Sequence, residues 1–271
     1  MTSRKSYSLL FIFPCILLGS ACTGMPSAKK QQYTPQYYSF SVLLDPETPE
    51  TSPQLDLAMS LLRMEYPPEQ AVFFNEAIYL GGSIDDYKDK VVREQRSNYR
   101  VSAQGNAPGN NWRRSETVNV TRSLSQGIIV EREVNFESGD GRDTQTKRYY
   151  VLDMEDRRQL KIDDFFANYQ EQKRLRDIVY EEMRKFSKLE RGKPLSGGIF
   201  FTDEPELSFN FFITDDGLGL HWDPQQIAPF SCGSIEIIVP WYSVRPMMLV
   251  SGMELLTKFD INIYAYKIEE A

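Results

Sequence analysis

Histidine is nearly absent from this chain. Its 271 residues include one, His221, beside three cysteines, Cys15, Cys22 and Cys232. A zinc centre of the usual nitrogen and sulfur ligands cannot be assembled from that supply. No apolar run reaches the roughly 20 residues that cross a bilayer as a helix. The sequence has no glycine-rich phosphate loop, no G-x-S-x-G nucleophile turn and no internal repeat. Aspartates at Asp140, Asp143 and Asp215-Asp216-Gly217 offer oxygen ligands, but none is in EF-hand register, and turns favour Asp and Gly for conformational reasons. No cofactor or metal is expected. Basic residues are in the minority, and the net charge is −7. Phosphate backbones are repelled by such a surface, so no nucleic-acid partner is expected.

What is present begins with a secretion signal. Arg4 and Lys5 precede a ten-residue apolar run, Leu9 to Leu18, too short to span a membrane and suited to a signal core. Gly19-Ser20-Ala21-Cys22 follows. Small residues before a cysteine resemble the lipobox of bacterial lipoproteins, which leaves Cys22 lipidated; Gly19 departs from the usual aliphatic residue, and ordinary cleavage after Gly19-x-Ala21 fits the same residues. Cys15 leaves with the signal, and a lipidated Cys22 leaves Cys232 without a disulfide partner. Residues 22–271 carry 29 basic and 38 acidic groups, a net charge of −9. The expected location is the cell envelope, membrane-anchored by lipid and facing periplasm or cell exterior.

Residues 22–36 read as a polar tether. A strand is expected over Tyr37–Leu44. Ser52-Pro53 has the form of a helix start, with Leu55, Met59 and Leu62 on one face. A second helix is expected over Glu69–Leu80, its apolar side Val72, Phe73, Ala77 and Leu80, stopped by Gly81-Gly82. A third spans Ile84 to about Gln95, and residues 102–113 read as a loop. From Glu116 the period becomes two, giving strands over Thr117–Thr121, Gly127–Phe136 and Lys147–Asp153, the last two joined at Ser138–Arg142. Glu171–Lys188 is the strongest helix, with Leu175, Ile178, Val179, Met183 and Phe186 recurring at helical spacing. Leu207, Phe209, Phe211 and Ile213, then Leu218, Leu220 and Trp222, form a hairpin about Asp215-Asp216-Gly217, whose Asp-Gly pair favours a turn with positive φ. Ile235, Ile237 and Val239 make a further strand, and residues 259–268 a weak edge strand. Helices and strands in blocks, without a βαβ rhythm, imply an α+β fold with antiparallel sheets and helices packed on one face. The expected division is a signal at 1–21, the tether, an N-terminal unit at 37–159 and a C-terminal unit at 160–271.

Two groups of residues resemble a known family. Leu160-Lys-Ile162-Asp-Asp164-Phe165-Phe166 is similar to an L-x-L-x-D-L-F entry into a long helix. Phe209-Asn-Phe211, Asp216-Gly217-Leu218, Trp222-Asp-Pro224, Ile227-Ala228-Pro229-Phe230, Gly233 and Val239-Pro240-Trp241 are similar in order and spacing to the hairpin, connection and closing strand of the same module. The module is the extracytoplasmic domain of unknown function in RsiV-like, lysozyme-sensing anti-sigma factors, which also accompanies a catalytic domain in a peptidoglycan deacetylase. The resemblance covers about a third of the chain; residues 37–153 resemble only loosely the small domain that precedes it. Where the family often has a Gly-Gly-Ala-His turn this chain has Ser138-Gly-Asp-Gly-Arg142, so no role of that histidine carries over. The membrane helix and sigma-binding segment are absent, and anti-sigma activity does not carry over either.

His221 lies near Asp223, Ser231 and Cys232, but nearness in sequence is not a triad. Its alternation with Leu220 and Trp222 places it on a solvent-facing side. No catalytic residue is expected. The aromatics Trp112, Trp222 and Trp241 suit either sugar stacking or a core, and strand packing explains the last two. The proline-bounded connection after the hairpin, with Asp216, Trp222, Asp223, Pro224, Ile227 and Pro229, is the candidate ligand-facing loop; a fixed structural turn is the rival. The expected function is an envelope-anchored binding or sensing module. Its partner is a cationic protein such as lysozyme, implied by the resemblance and the acidic charge, or peptidoglycan fragments. The alternatives are a cell-wall hydrolase and a structural envelope subunit.

Overall fold

The computed structural model describes residues 30–103, 110–138 and 143–264. The lipobox, Cys22, most of the tether and the turn around Asp140 lie outside them. Strands β1 (Gln32–Leu43) and β2 (Gln54–Tyr66) come first, so the tether ends before Gln32 rather than at 36. They are followed by helices α1 (Pro68–Ile78) and α2 (Ile84–Ala103) and strands β3 (Trp112–Ser123), β4 (Gly127–Glu137), β5 (Thr144–Asp153) and β6 (Arg158–Gln159). The six strands form one sheet in chain order. Every pairing is antiparallel except β2 with β3, which run parallel because α1 and α2 form a crossover between them. The antiparallel expectation fails at that one pair; the α+β class stands.

The helix expected from Ser52 is strand β2. Leu55, Met59 and Leu62 fit a helical stripe, yet Leu55, Leu57, Met59 and Leu61 also alternate, and all four are buried. Leu and Met favour helices by propensity, but pairing with β1 on one side and β3 on the other satisfies the backbone and buries the alternate positions. Ser52 does not cap a helix: its hydroxyl accepts the Asp45 N–H at 2.8 Å and donates to Pro53 O at 2.9 Å. On α1 the buried face is Ala71, Phe74 and Ile78, while Val72 and Leu80 are exposed. The stripe is rotated from the expected one because the helix lies over β2.

The C-terminal half holds α3 (Lys173–Phe186), strands β7 (Phe211–Ile213), β8 (Gly217–Trp222) and β9 (Ile235–Pro240), then α4 (Trp241–Val244) and α5 (Val250–Thr257). β7, β8 and β9 form a second, antiparallel sheet. The hairpin falls where Asp-Gly placed it, for a different reason: no residue of its turn has positive φ. Gly217 is needed because a Cβ there would meet the Val239 carbonyl. Phe186 and Phe209 are exposed rather than packed. Phe259, Ile261 and Ile263 are buried at alternate positions, but residues 259–264 pair with no strand among the described residues. They fill the core as a turn after α5, with Asp260 at positive φ and the Ile261 N–H bonded to Leu256 O at 3.1 Å.

The first sheet is buried on two sides where it meets the second half. Ile128, Val130 and Leu152 point into a core shared with Leu55, Leu57, Phe74, Ile78 and Val91. Ile129 and Val151 point the other way, into a core with Phe165, Leu175, Val179, Leu220, Trp222 and Trp241. β4 and β5 therefore sit between helices α1 and α2 on one face and the C-terminal half on the other. Each fully buried aliphatic side chain there contributes roughly 1.5–3 kcal/mol.

Candidate functional site

His221 stands on β8 directly opposite Glu236 on β9. Its side chain is entirely buried, against the solvent-facing position expected from the strand pattern. The alternation correctly separated Leu220 and Trp222 from His221. It could not show that β5 and Phe212 cover the second side, where Phe212 stacks on Tyr149 at 4.3 Å and Tyr149 meets the imidazole at 5.9 Å. Imidazole Nε2 lies 3.0 Å from Asp223 Oδ1, and Nδ1 lies 3.1 Å from Glu236 Oε1. The same Glu236 oxygen accepts Tyr149 OH at 2.9 Å and Lys147 Nζ at 3.2 Å. Glu131 on β4 closes the group, 3.0 Å from the Tyr149 hydroxyl and 3.3 Å from Lys147 Nζ. Tyr149 has one proton for two carboxylates, so it serves one acceptor at a time.

Burial alone would lower the His221 pKa, but the hydrogen bonds to Asp223 and Glu236 outweigh it and raise the pKa. The His221 hydrogen bond, with help from Tyr149 and Lys147, holds Glu236 down at about 2 despite partial burial. Asp223 is lowered as well: burial opposes this, but His221 and the Lys147 N–H prevail. Burial depresses Lys147, while Glu236 and Glu131 more than restore it and leave its pKa raised. Tyr149 is pushed up by burial and by the two neighbouring carboxylates.

This group joins the two sheets. On the edge of β5 away from β4, β6 pairs only Leu152 and Asp153, and side chains take the place of a strand beside Lys147 and Tyr149 among the described residues. Asn210 accepts the Tyr149 N–H at 2.9 Å and donates to Lys147 O at 2.7 Å. Asp223 accepts the Lys147 N–H at 2.8 Å. Both ring nitrogens of His221 face carboxylates, so neither is available to activate a nucleophile. Cys232 is exposed on a separate turn. The arrangement is a latch, and it offers the chemistry of a structural ion pair.

A second buried group lies beneath α2. Glu116 on β3 is fully buried and accepts Tyr87 OH at 2.8 Å and Arg114 at 3.0 Å, with Arg132 Nε 2.8 Å away. Burial pushes its carboxyl up to about 7, against the pull of Arg114.

The candidate loop divides. Trp222 and Ile227 are core residues, and Trp222 Nε1 donates to Glu206 O at 3.0 Å. Asp223 belongs to the latch, Pro224 is half-buried, and Pro229 is exposed. Asp216 is exposed at the other end of β8, which at about 3.3 Å per residue puts it roughly 17 Å away. The six residues therefore do not form one surface. Trp112 and Trp241 are buried like Trp222, so no tryptophan is placed to stack on a sugar.

What the sequence reading missed is the neighbouring segment, 199–210. Four consecutive carbonyls in it are each held by a side chain. Pro205 O accepts Tyr180 OH at 2.9 Å, Glu206 O accepts Trp222, Leu207 O accepts Gln170 at 2.6 Å, and Ser208 O accepts Tyr169 OH at 3.0 Å. Phe201 N–H bonds Ile227 O at 2.9 Å, joining this segment to the connection after β8. Phe201 and Phe209 of this segment are exposed, as are Asp203, Glu204 and Glu206 between them in sequence, and so is Phe230 after the connection. Residues 194–244 contain seven acids and no Lys or Arg. That run without a basic residue was the available signal. A groove of about 470 Å³ along α3 is a weaker candidate, since its lining residues Arg184 and Glu181 pair with each other at 2.8 Å.

The molecule is thus an α+β protein in which a mixed sheet backed by helices is latched to a smaller sheet. Residues 163–242 match the family described as "protein of unknown function (DUF3298)", and the chain carries a DUF3298 domain there. A DUF3298 family member from Bacteroides fragilis has a similar fold, with a TM-score of 0.66 at 16% identity over 83% of this chain and 96% of that one. A DUF3298 family protein from Pseudomonas aeruginosa PAO1 matches with a TM-score of 0.54 at 15% identity over 81% and 96%. At these identities the likeness is one of fold, and it extends beyond the DUF3298 segment into the first sheet. No curated protein matches the chain.

Proposed function

We propose that this protein is an envelope-anchored binding module of the RsiV-like kind, held at the membrane through a lipid on Cys22, with no catalytic turnover of its own. Its ligand surface is the aromatic and acidic end of the C-terminal half: Phe201, Phe209 and Phe230 with Asp203, Glu204 and Glu206. The observation that supports this reading most is the run from 194 to 244, acidic without one Lys or Arg, in which three phenylalanines stay exposed on a pinned backbone. Exposed rings contribute contact area, and a backbone already ordered loses little freedom on binding. An acidic rim steers a cationic protein to the site and makes affinity fall as salt rises.

The test is calorimetry of residues 23–271 with lysozyme, a cationic protein, at low and high salt, for the native chain and for Glu204→Lys/Glu206→Lys. Heat at low salt that weakens with salt and is lost in the variant supports the proposal. No heat at low salt removes it. Binding of peptidoglycan fragments instead, unaffected by salt, would assign the same rings to a glycan, and turnover of peptidoglycan would make the protein a hydrolase.

A further inference from the structure

The two outer edges of the six-stranded sheet are treated differently. At one end, β5 is covered by β6, Asn210 and Asp223. At the other end, β1 pairs only with β2 among the described residues. An open strand edge is a template for another chain, and proteins usually protect it with charge, proline, a bulge or shortness. β1 is twelve residues long and has no charged residue among QYTPQYYSFSVL. Its Pro35 and its register shift at Gln32/Tyr33 protect the first four positions only.

The backbone groups that face outward can be identified. Leu44 N–H bonds Pro53 O at 3.0 Å, so even-numbered residues of β1 face β2, and alternation turns the groups of Tyr37, Ser39 and Ser41 outward. Pro35, which lacks an N–H, stands at an outward position, as this register requires. Leu43 O, also outward, is capped by Arg96 Nε at 3.0 Å. Among the described residues, no hydrogen bond reaches the outward backbone groups of Tyr37, Ser39 and Ser41. Tyr38, Phe40 and Val42 pack on the helices' side, while Tyr37, Ser39 and Ser41 are exposed on the opposite face.

We infer that β1 pairs antiparallel with β1 of a second copy across a two-fold axis near Ser39, making one continuous twelve-stranded sheet. Groups spaced every second residue along an edge are matched by another extended strand. A two-fold axis sets each residue against its own copy or a near neighbour, so self-pairing is the case in which a charge would meet its like. β1 avoids that: Ser39 faces Ser39 of the second copy, and Tyr37 faces Ser41 of the second copy, with about six backbone hydrogen bonds between them. The acidic run does not oppose this approach. Asp215 of that run is paired with Arg122 of β3, and Asp223 and Glu236 sit in the latch at β5, four strand spacings or about 19 Å from β1, beyond a Debye length of about 8 Å at physiological salt.

Sedimentation equilibrium of residues 23–271, which retain the whole described fold, tests the pairing, with reductant present because Cys232 is exposed. The native chain is expected to be a dimer in equilibrium with monomer. Ser39→Lys, which puts two charges at the axis, and Ser39→Pro, which removes an outward N–H, are each expected to raise the dissociation constant at least about tenfold with unchanged circular dichroism. If Ser39→Pro fails to fold, Ser39→Lys decides alone, because its side chain is exposed. A native chain that stays monomeric overturns the inference, and so does a dimer that persists in Ser39→Lys.

Discussion

Replacing His221 with alanine removes the imidazole that hydrogen-bonds both Asp223 and Glu236. The imidazole is fully buried, with Asp223 at 3.0 Å and Glu236 at 3.1 Å. Hydrogen bonds to charged groups contribute roughly 1.5–3 kcal/mol each. The two carboxylates are not orphaned by the change: Glu236 keeps Lys147 and Tyr149, and Asp223 keeps the Lys147 N–H. The expected loss is therefore about 2–4 kcal/mol, below the sum of two orphaned buried charges. The pH dependence is the sharper measurement. His221 is raised, so its contribution is fully present below the unfolded value near 6.5 and is lost as pH climbs through the higher folded value. Glu236 is depressed to about 2, so its contribution is present above about 4.5 and is lost as pH falls toward 2. With its side chain about one-third exposed, solvent screening limits that acid-side loss to about 1–2 kcal/mol. Glu116, raised to about 7, also costs stability as pH rises, but between about 4.5 and 7. The difference between native and His221→Ala chains isolates the histidine from it. The other charged groups around the imidazole are Glu131, Glu133, Lys147, Asp223 and Glu236. Urea unfolding from pH 5 to 9 should show the native advantage shrinking above pH 6.5. An advantage that stays constant over that range, or that grows with pH, would refute the latch reasoning.

Asn210→Ala leaves the Tyr149 N–H and Lys147 carbonyl without their partner, and should cost about 1–3 kcal/mol in urea unfolding and speed exchange of the Tyr149 amide. Leu57→Ala should cost about 2–5 kcal/mol while Ala58→Ser stays within about 0.5, the contrast a strand requires at 54–66; equal effects would restore the helix reading. Cys22→Ala should move the protein from the membrane to the soluble fraction, and retention at the membrane would reject a lipid on that residue.

Several elements were legible because their cause is local. Asp215-Asp216-Gly217 between alternating apolar residues marks the β7–β8 hairpin, and the period of two from Glu116 marks β3, β4 and β5. The helical spacing of Leu175, Val179 and Met183, each four residues after the last, marks α3. In each, one face is apolar and the pattern itself states the period. Tertiary structure decided the rest. Leu55 to Leu62 satisfies two periods, and only strands available on both sides select the extended one. β8 is buried at every position from Gly217 to Trp222, so alternation could not reveal that the His221 side lies under β5. The latch draws Glu131, Lys147, Asn210, His221 and Glu236 from segments far apart in the chain, and no short-range spacing brings them together. Burial also settled which aromatics are core: Trp222 and Trp241 went inside, while Phe201, Phe209 and Phe230, no less apolar, were left outside. A residue's period follows from its neighbours in sequence, but what covers it follows from the packing of distant segments.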